Sequence, residues 1–419
     1  MIEVADAKWS RTLDKLGIFP PLAWGFLGLL LFMVGDGVES GYLSPFLMGS
    51  GIDQGKVALI FTVYGLTAAI AAWLSGALSD LWGPRRVMWI GLAIWVVFEV
   101  PFLVLGVASG SYPVIMATYA LRGFGYPLFA YGFLVWITAA TPRRRLGTAV
   151  GWFWFAFTGG LPTLGSLFAS FFVPLVGPYR TLWFSLALVI AGGLVALLGT
   201  RESTGARRLA PKGEHPVTTL LLSVSIAWRK PKTAIGCIVR VINTAPQFGF
   251  LVFLPIYFTE TVGFTLIQWL RLLSAIFLSN IVWNLLFGVL GDKLGWRRTV
   301  AICGGVGSAI TTLLLFYVPH TFGANYPLAI LAGVCYGATL AGYVPLSALM
   351  PSLVPEHKGA AMSLLNLGAG ASTWVGPGIV ALFLSRVGVE GVMWIFALLY
   401  LLSAVLALTL TLPGEERKS

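Results

Sequence analysis

Twelve stretches of the sequence are apolar over about 20 residues or more, the length that an α-helix needs to cross a bilayer. The chain is 58% hydrophobic, and only 10% of its 419 residues are charged. Soluble domains carry about 25% charged residues, so this chain has too few polar groups to cover a surface in water. The pattern predicts an all-α membrane protein with twelve transmembrane helices. They fall at residues 21–48, 56–79, 87–108, 112–140, 147–174, 179–199, 234–260, 267–290, 299–318, 325–352, 359–385 and 390–412.

The net charge of +11 is compatible with a nucleic-acid partner, but the placement of the basic residues indicates another role. Twenty-one of the 27 Lys and Arg residues lie in the N-terminal arm, the C-terminal tail and alternate loops. Only Lys56, Arg180 and Arg386 fall in the loops of the other side. The positive-inside rule then places both termini in the cytoplasm and the chain in the cytoplasmic (inner) membrane. We therefore expect no nucleic-acid partner.

A short segment of the sequence occurs twice. Residues 76–86 (GALSDLWGPRR) recur as residues 288–298 (GVLGDKLGWRR), and the same shift of 212 positions relates Gly147 to Gly359. A match of several residues at one offset indicates a duplication, so the chain divides into two six-helix halves. The predicted divisions are an N-terminal arm at 1–20, a first half at 21–199, a cytoplasmic linker at 200–233, a second half at 234–412 and a tail at 413–419.

The repeated segment has a physical interpretation. Its first glycine allows two helices to approach closely, and its aspartate lies at a helix end, near basic residues. The following glycine and arginines form a tight cytoplasmic turn whose charges can pair with the other half and separate again as the halves rock. The alternative is that the basic residues only set the topology. The residues predicted to act in this conformational switch are Gly76, Asp80, Arg85, Arg86, Gly288, Asp292, Arg297 and Arg298.

The repeated segment resembles the loop signature GxLxDxxGRR of the major facilitator superfamily. Residues 122–126 (RGFGY) and 159–165 (GGLPTLG) are similar to that family's fourth-helix and fifth-helix motifs. Residues 35–42 (GDGVESGY) resemble the polyol permeases, the ribitol and D-arabinitol transporters. The resemblance implies two pseudo-symmetric halves that work by alternating access, with helices one, four, seven and ten around a central cavity. We expect a monomer.

Two acidic residues lie near the middle of the first predicted helix. Asp36 and Glu39 are three positions apart and share a helix face. Carboxylates at this depth are costly to bury, which favours a role in proton transfer or ion binding. The alternative is a structural ion pair with Arg122 of the fourth helix, and a carboxylate that exchanges Arg122 for a proton satisfies both interpretations. Glu99 in the third helix fits either a proton role or helix packing.

Polar side chains in the second half are candidates for binding substrate. Arg240, Asn243 and Gln247 share one face of the seventh helix, and their amides suit a substrate with several hydroxyl groups. Such amides also join helices to one another, and aromatic residues at depth also serve packing alone. The full set of predicted substrate-binding residues is Tyr42, Tyr126, Trp152, Arg240, Asn243, Gln247, Asn280, Asn284, Tyr336 and Asn366.

No enzyme, ATPase, metal or cofactor motif occurs in the sequence. We therefore predict a secondary transporter that imports a small neutral polyol, a pentitol such as ribitol or D-arabinitol, together with protons. One alternative is a proton symporter of a small organic anion, with Arg122 and Arg240 as carboxylate clamps. Intramembrane carboxylates near the site favour the polyol because they repel an anion. A further alternative is a membrane sensor without transport.

Overall fold

The computed structural model describes residue 13 and residues 18–142, 146–209, 216–354 and 358–412. Every regular element in these residues is helical, as the composition predicts. We number the membrane helices α1 to α12 in chain order. They are α1 Pro20–Gly41, α2 Gln54–Trp82, α3 Pro84–Val107, α4 Tyr112–Ala140, α5 146–176, α6 Pro178–Gly199, α7 Pro231–Thr261, α8 Leu266–Leu294, α9 Trp296–Phe322, α10 Tyr326–Leu353, α11 358–387 and α12 389–408.

Eleven continuous helices in the described residues are long and apolar enough to cross a membrane, and the last of them crosses twice. Within Lys358–Leu408 the backbone of Gly388 adopts φ 66°, a left-handed conformation that ends one helix and allows another to begin. The described residues therefore make twelve crossings, and the predicted fold class is confirmed. Large apolar side chains such as Leu105 and Leu175 are exposed on the outside, where a bilayer would cover them.

The two copies of the repeated segment form the same turn. Gly83 and Gly295 have φ of 88° and 90°, and each is the only residue between two membrane helices. A residue with a Cβ rarely adopts this conformation, which explains the glycine in both copies. Pro84 then begins α3 at the first helical position, where its missing N–H costs nothing.

Several membrane helices are interrupted near their middle. The first crossing is interrupted by a 3₁₀-helix, Val38–Gly41, after which a short helix, Leu43–Gly49, continues it, and α4 breaks between Arg122 and Gly125. In α5 the segment Gly159–Leu164 forms a π-helix around Pro162, because proline cannot donate the regular hydrogen bond. These interruptions lie beside the polar groups of the membrane interior.

The linker contains a short helix, Pro216–Arg229, which leads into α7. We call the membrane face on which the linker lies the linker side, and the opposite face the far side. Because twelve crossings alternate in direction, the turns at Gly83 and Gly295 both lie on the linker side. The linker also contacts the end of α2, just before the turn at Gly83, since the backbone N–H of Leu209 donates to the backbone oxygen of Asp80 at 3.0 Å.

Candidate functional site

A small cavity of about 60 Å³, lined by charged, hydroxyl and apolar side chains, lies between the two halves. This volume holds a few water molecules, at about 10–15 Å³ each, and must widen to hold an organic solute. The first half contributes charged and hydroxyl groups, and the second half contributes mainly apolar groups. The lining residues are Asp36, Glu39, Ser40, Phe61, Tyr64, Tyr119, Tyr126, Leu161, Phe248, Leu251, Thr373 and Pro377. Helices α1, α4 and α7 line it as expected, but α2, α5 and α11 take the place expected for α10.

Four buried ionisable residues form one group beside this cavity. We call Asp36, Glu39, Glu99 and Arg122 the acid cluster. Arg122 is fully buried and forms ion pairs with both Glu39 and Glu99. Its Nη1 donates to Glu39 Oε2 at 3.0 Å, and the hydroxyl of Tyr119 donates to Glu39 Oε1 at 2.8 Å. The first half thus holds this buried arginine within a network of charge-assisted hydrogen bonds.

Asp36 joins the acid cluster through an aromatic residue. The indole Nε1 of Trp95 donates to Asp36 Oδ1 at 2.6 Å. The Arg122 guanidinium lies 4.9 Å from the centre of the Trp95 ring and 4.4 Å from that of Tyr119. The aromatic faces stabilise the buried cation and exclude lipid from it.

The charges of the acid cluster do not balance. It contains three carboxylates and one guanidinium, so the cluster is neutral only when it holds two protons. An excess charge at membrane depth is costly, which favours proton uptake over two uncompensated negative charges. Glu99 Oε1 has no hydrogen-bond partner in the described structure and is available for a proton or a water molecule. The arrangement can therefore store and release protons.

Local structure explains how these side chains meet. Trp95 and Glu99 are four residues apart on α3, and Tyr119 and Arg122 are three apart on α4, so each pair shares a helix face. Gly123 follows Arg122, and a Cβ there would lie 2.2 Å from Thr67 Oγ1 on α2. This close packing of α2 against α4 keeps Arg122 inside the half. Trp95 and Tyr119 are not among the residues predicted from the sequence, although their i, i+4 and i, i+3 spacings to Glu99 and Arg122 indicate them.

The second half carries a different kind of cation. Arg240 of α7 lies 3.7 Å from the centre of the Tyr343 ring of α10. Its Nη1 is buried and has no hydrogen-bond partner, and the described residues place no carboxylate within ion-pair distance of it. Arg122 and Arg240 therefore differ: described carboxylates neutralise the first and do not neutralise the second.

The predicted amides of the second half mostly contact neighbouring helices. Asn243 accepts from Ser403 Oγ at 2.5 Å, and its backbone oxygen accepts from the Tyr400 hydroxyl at 3.4 Å. Asn280 donates to the backbone oxygen of Gly337 at 3.3 Å. These contacts match the alternative of interhelical bonding.

The remaining predicted binding residues are spread over several places. Tyr126 lines the cavity, whereas Tyr42 donates to the backbone oxygen of Pro178 at 3.2 Å. Tyr336 is within hydrogen-bond distance of Tyr400, and Asn284 donates to Asn280. Three others lie elsewhere: Trp152 and Gln247 are half-buried and Asn366 is exposed. Their roles in substrate binding stay predictions.

The switch residues lie at the linker-side turns. A Cβ added at Gly76 would meet nothing within 4 Å, so no helix approaches it closely in this conformation. Arg85 donates to the backbone oxygen of Leu197 at 2.7 Å, and Arg86 is exposed. In the second copy, Arg297 and Arg298 line a surface cavity of about 330 Å³. The side chains at positions 288 and 292 lie outside the described residues.

The halves are joined on the far side. Four side-chain hydrogen bonds link them within the described part of the chain, and all lie between mid-membrane and the far side. They join Ser44 to Val252, Trp269 to Gly41, Ser274 to Thr163 and Thr373 to Gly65, at 2.5, 2.8, 3.0 and 2.7 Å. The cavity is therefore closed toward the far side.

Several known proteins are similar to this chain in sequence or in fold. The sequence is 46% identical over 409 residues to the alpha-ketoglutarate permease of Bacillus subtilis, covering 97% of this chain and 93% of that protein. It is 35% identical to the D-arabinitol transporter of Klebsiella pneumoniae, covering 96% of each. A crystal structure of the nucleoside transporter NupG superimposes with a TM-score of 0.73 at 16% identity, covering 93% of this chain and 99% of that one.

The family model of the Major Facilitator Superfamily matches residues 25–270 and 236–419. These two matches together cover nearly the whole sequence and both six-helix halves. The similar proteins are transporters, so the prediction that the chain is not an enzyme is confirmed, as is the resemblance to the polyol permeases. The chain is a multi-pass membrane protein and belongs to the major facilitator superfamily of transporters.

Proposed function

We propose that the protein imports a small hydrophilic organic solute together with protons, across the cytoplasmic membrane and with both termini in the cytoplasm. The observation that carries this proposal is the acid cluster, which faces the cavity between the halves and holds two more carboxylates than cations. A transporter that stores protons beside its solute cavity can use a proton gradient to drive accumulation. The two halves of a single chain enclose the cavity, and we propose that the functional unit is a monomer.

The coupling follows from access to the cavity. When the cavity opens to the far side, protons and solute enter from outside, and the acid cluster becomes neutral. A neutral cluster costs less to enclose than a charged one, so closure favours the protonated state. When the cavity opens to the linker side, water reaches Asp36 and Glu39, and both protons and solute leave to the cytoplasm.

A polyol is one candidate solute. The D-arabinitol transporter of Klebsiella pneumoniae is a relative, and Ser40, Tyr64, Tyr126 and Thr373 offer hydroxyl groups to the cavity. Hydroxyls both donate and accept hydrogen bonds, which suits a chain of carbinol groups. A neutral polyol also needs a co-transported ion if the membrane potential is to concentrate it.

A small organic anion is the second candidate. The alpha-ketoglutarate permease of Bacillus subtilis is a relative at 46% identity, and Arg240 offers a positive charge that no described carboxylate neutralises. The acidic residues no longer argue against an anion, because a neutral, protonated cluster does not repel it.

The test is uptake into proteoliposomes with an imposed pH gradient. The labelled solutes are 2-oxoglutarate, ribitol and D-arabinitol. Asp36→Asn should abolish accumulation against a gradient and should spare exchange of internal for external solute, because only the coupling ion is lost. Asp53→Asn is the matched control, since Asp53 is an exposed residue that caps α2 through the Gly55 N–H.

Accumulation by Asp36→Asn at the wild-type level would exclude Asp36 as the coupling residue. Glu39→Gln and Glu99→Gln would then be measured in the same assay. Wild-type transport of all three solutes that does not respond to pH would refute proton coupling itself.

A further inference from the structure

The second half contains a half-buried arginine, Arg240, whose charge no described carboxylate neutralises. Arg240 enters the membrane interior on α7, with its guanidinium 3.7 Å from the Tyr343 ring centre. The backbone of α11 packs against its stem, because a Cβ at Gly368 would lie 3.3 Å from Arg240 Cβ. Three elements thus fix the position of this side chain.

Packing against α11 accounts for the position of the aliphatic part of Arg240 but not for the burial of its guanidinium Nη1. A guanidinium stacked on an aromatic ring keeps its plane fixed and leaves its N–H edge available for in-plane hydrogen bonds. Nη1 lies on that edge, and it is buried without an acceptor among the described residues. A buried donor without a partner is destabilising, and more so when it carries charge, so a ligand that offers an acceptor to Nη1 binds favourably here.

The surroundings of Arg240 favour an anionic ligand. Tyr131 of α4, from the other half, lies near both Arg240 and Tyr343. Its hydroxyl and the guanidinium together offer donors from both sides of the interface between the halves. A carboxylate accepts two parallel N–H bonds from a guanidinium, which a single hydroxyl group does not reproduce.

Tyr131 also connects this place to the acid cluster. Tyr126 lies near both Tyr131 and Asp36, so the tyrosines of α4 run from the carboxylates toward Arg240. The first half therefore holds the excess negative charge, and the second half holds the free positive charge, along one interface.

We propose that Arg240, positioned by Tyr343 and Gly368, is a carboxylate-binding residue, and that the solute of this transporter is a small organic anion. The inference rests on the proposed function, because it assigns the solute class of the same interface. It also separates the roles of the two arginines: Arg122 serves the protons, and Arg240 binds the solute.

The experiment measures binding of 2-oxoglutarate and ribitol to the purified full-length protein, together with uptake in proteoliposomes. Arg240→Gln should weaken 2-oxoglutarate binding by about tenfold or more, because a hydrogen bond to a charged group is lost. Arg240→Lys retains the charge but cannot form two parallel hydrogen bonds. Its affinity for 2-oxoglutarate should lie between those of the wild type and Arg240→Gln. In transport, Arg240→Gln should raise KM for 2-oxoglutarate more than it lowers kcat.

Arg271→Gln is the matched control. Arg271 is also an intramembrane arginine near an aromatic ring, 5.7 Å from the centre of Phe171, but it is exposed near the far-side end of α8. This variant should bind 2-oxoglutarate within about twofold of the wild type, since an exposed charge contributes little. Size-exclusion profiles show whether each variant is folded. If Arg240→Gln does not fold, the comparison of 2-oxoglutarate binding is made with Arg240→Lys.

Two results would overturn the inference: tight ribitol binding with no 2-oxoglutarate binding, or 2-oxoglutarate binding by Arg240→Gln that equals the wild type. Either leaves proton coupling through the acid cluster intact, if accumulation still follows pH. The converse result is that 2-oxoglutarate binding depends on Arg240 but transport does not change with pH. That result would refute only the proposed proton coupling.

Discussion

Replacement of Gly65 by alanine should open the far side of the transporter. Gly65 lies on α2, where its backbone oxygen accepts a hydrogen bond from Thr373 of α11 at 2.7 Å. A Cβ at this position would lie 2.2 Å from the backbone oxygen of Thr373, where ordinary contacts begin at 3.4 Å. The two helices must therefore separate by about 1 Å, and this contact is one of those that join the halves on the far side.

The size of the effect follows from the packing. Inserting one methyl group into a close-packed interface costs about 1–3 kcal/mol. Because the cost falls only on the conformation in which α2 and α11 touch, it shifts the equilibrium between conformations by about 5- to 150-fold. The far-side-open state should become that much more populated relative to the closed state.

The assay is labelling of a cysteine in the cavity by a membrane-impermeant maleimide from the far side. Ser40→Cys provides the target in a background in which Cys237, Cys303 and Cys335 are replaced by alanine. Gly378→Ala is the control, because a Cβ there meets only the Thr62 methyl, at 3.6 Å. Unchanged labelling by Gly65→Ala, at an unchanged melting temperature, would refute the idea that this contact holds the far side closed.

Two further predictions concern the linker side. Asp80→Asn and Asp292→Asn should each slow transport and leave 2-oxoglutarate or ribitol binding nearly unchanged, because both residues lie at the turns and not in the cavity; a large loss of affinity would contradict this. Partial burial raises the pKa of Glu202, but hydrogen bonds from Thr204 and Trp136 outweigh it, so the pKa lies below its usual value of 4.5. Glu202 is partly buried, and solvent screening limits the stability that it contributes to about 1 kcal/mol or less. This stability is present above pH 4.5 and is lost as the pH falls through the folded-state pKa. The difference in melting temperature between wild type and Glu202→Gln, measured from about pH 7 to about pH 3, should shrink accordingly.

The twelve crossings could be predicted because the bilayer fixes the length of an apolar helix. Helix ends were less accurate: the span predicted at 299–318 begins at Trp296, directly after the turn at Gly295. Hydropathy does not register such a turn, because its arginines lower the average although they belong to the helix. The interruptions at Gly159–Leu164 and Val38–Gly41 also leave no hydropathy signal.

The acid cluster could be predicted in part, because a buried charge needs a partner. That rule brings Glu39 and Arg122 together and leaves the partner of Glu99 open; the structure gives Glu99 the same arginine. The bond from Trp95 to Asp36 could not be predicted, because it depends on the register between α1 and α3. For Asn243 and Asn280, spacing identifies a polar helix face, but in a bundle that face can meet a cavity or another helix.

Equivalent positions of the two halves carry different side chains at the cavity. Phe248 and Leu251 follow Asp36 and Glu39 by the repeat shift of 212 positions, and all four side chains line the cavity. One wall of the cavity is therefore acidic and the equivalent wall is apolar.

This asymmetry bears on how protons are released. Every member of the acid cluster belongs to α1, α3 or α4, which all lie in the first half, so rocking of the halves moves the ion pairs of Arg122 as a unit. Separation of Glu39 from Arg122 is then not the step that releases a proton. We expect that water enters when the apolar wall, formed by Phe248 and Leu251, moves away from the acidic wall. This water then sets the protonation state of the acid cluster. Leu251→Ser should then allow proton leak without solute, measured as dye-detected acidification of proteoliposomes, whereas an unchanged leak would favour a change within the ion pair itself.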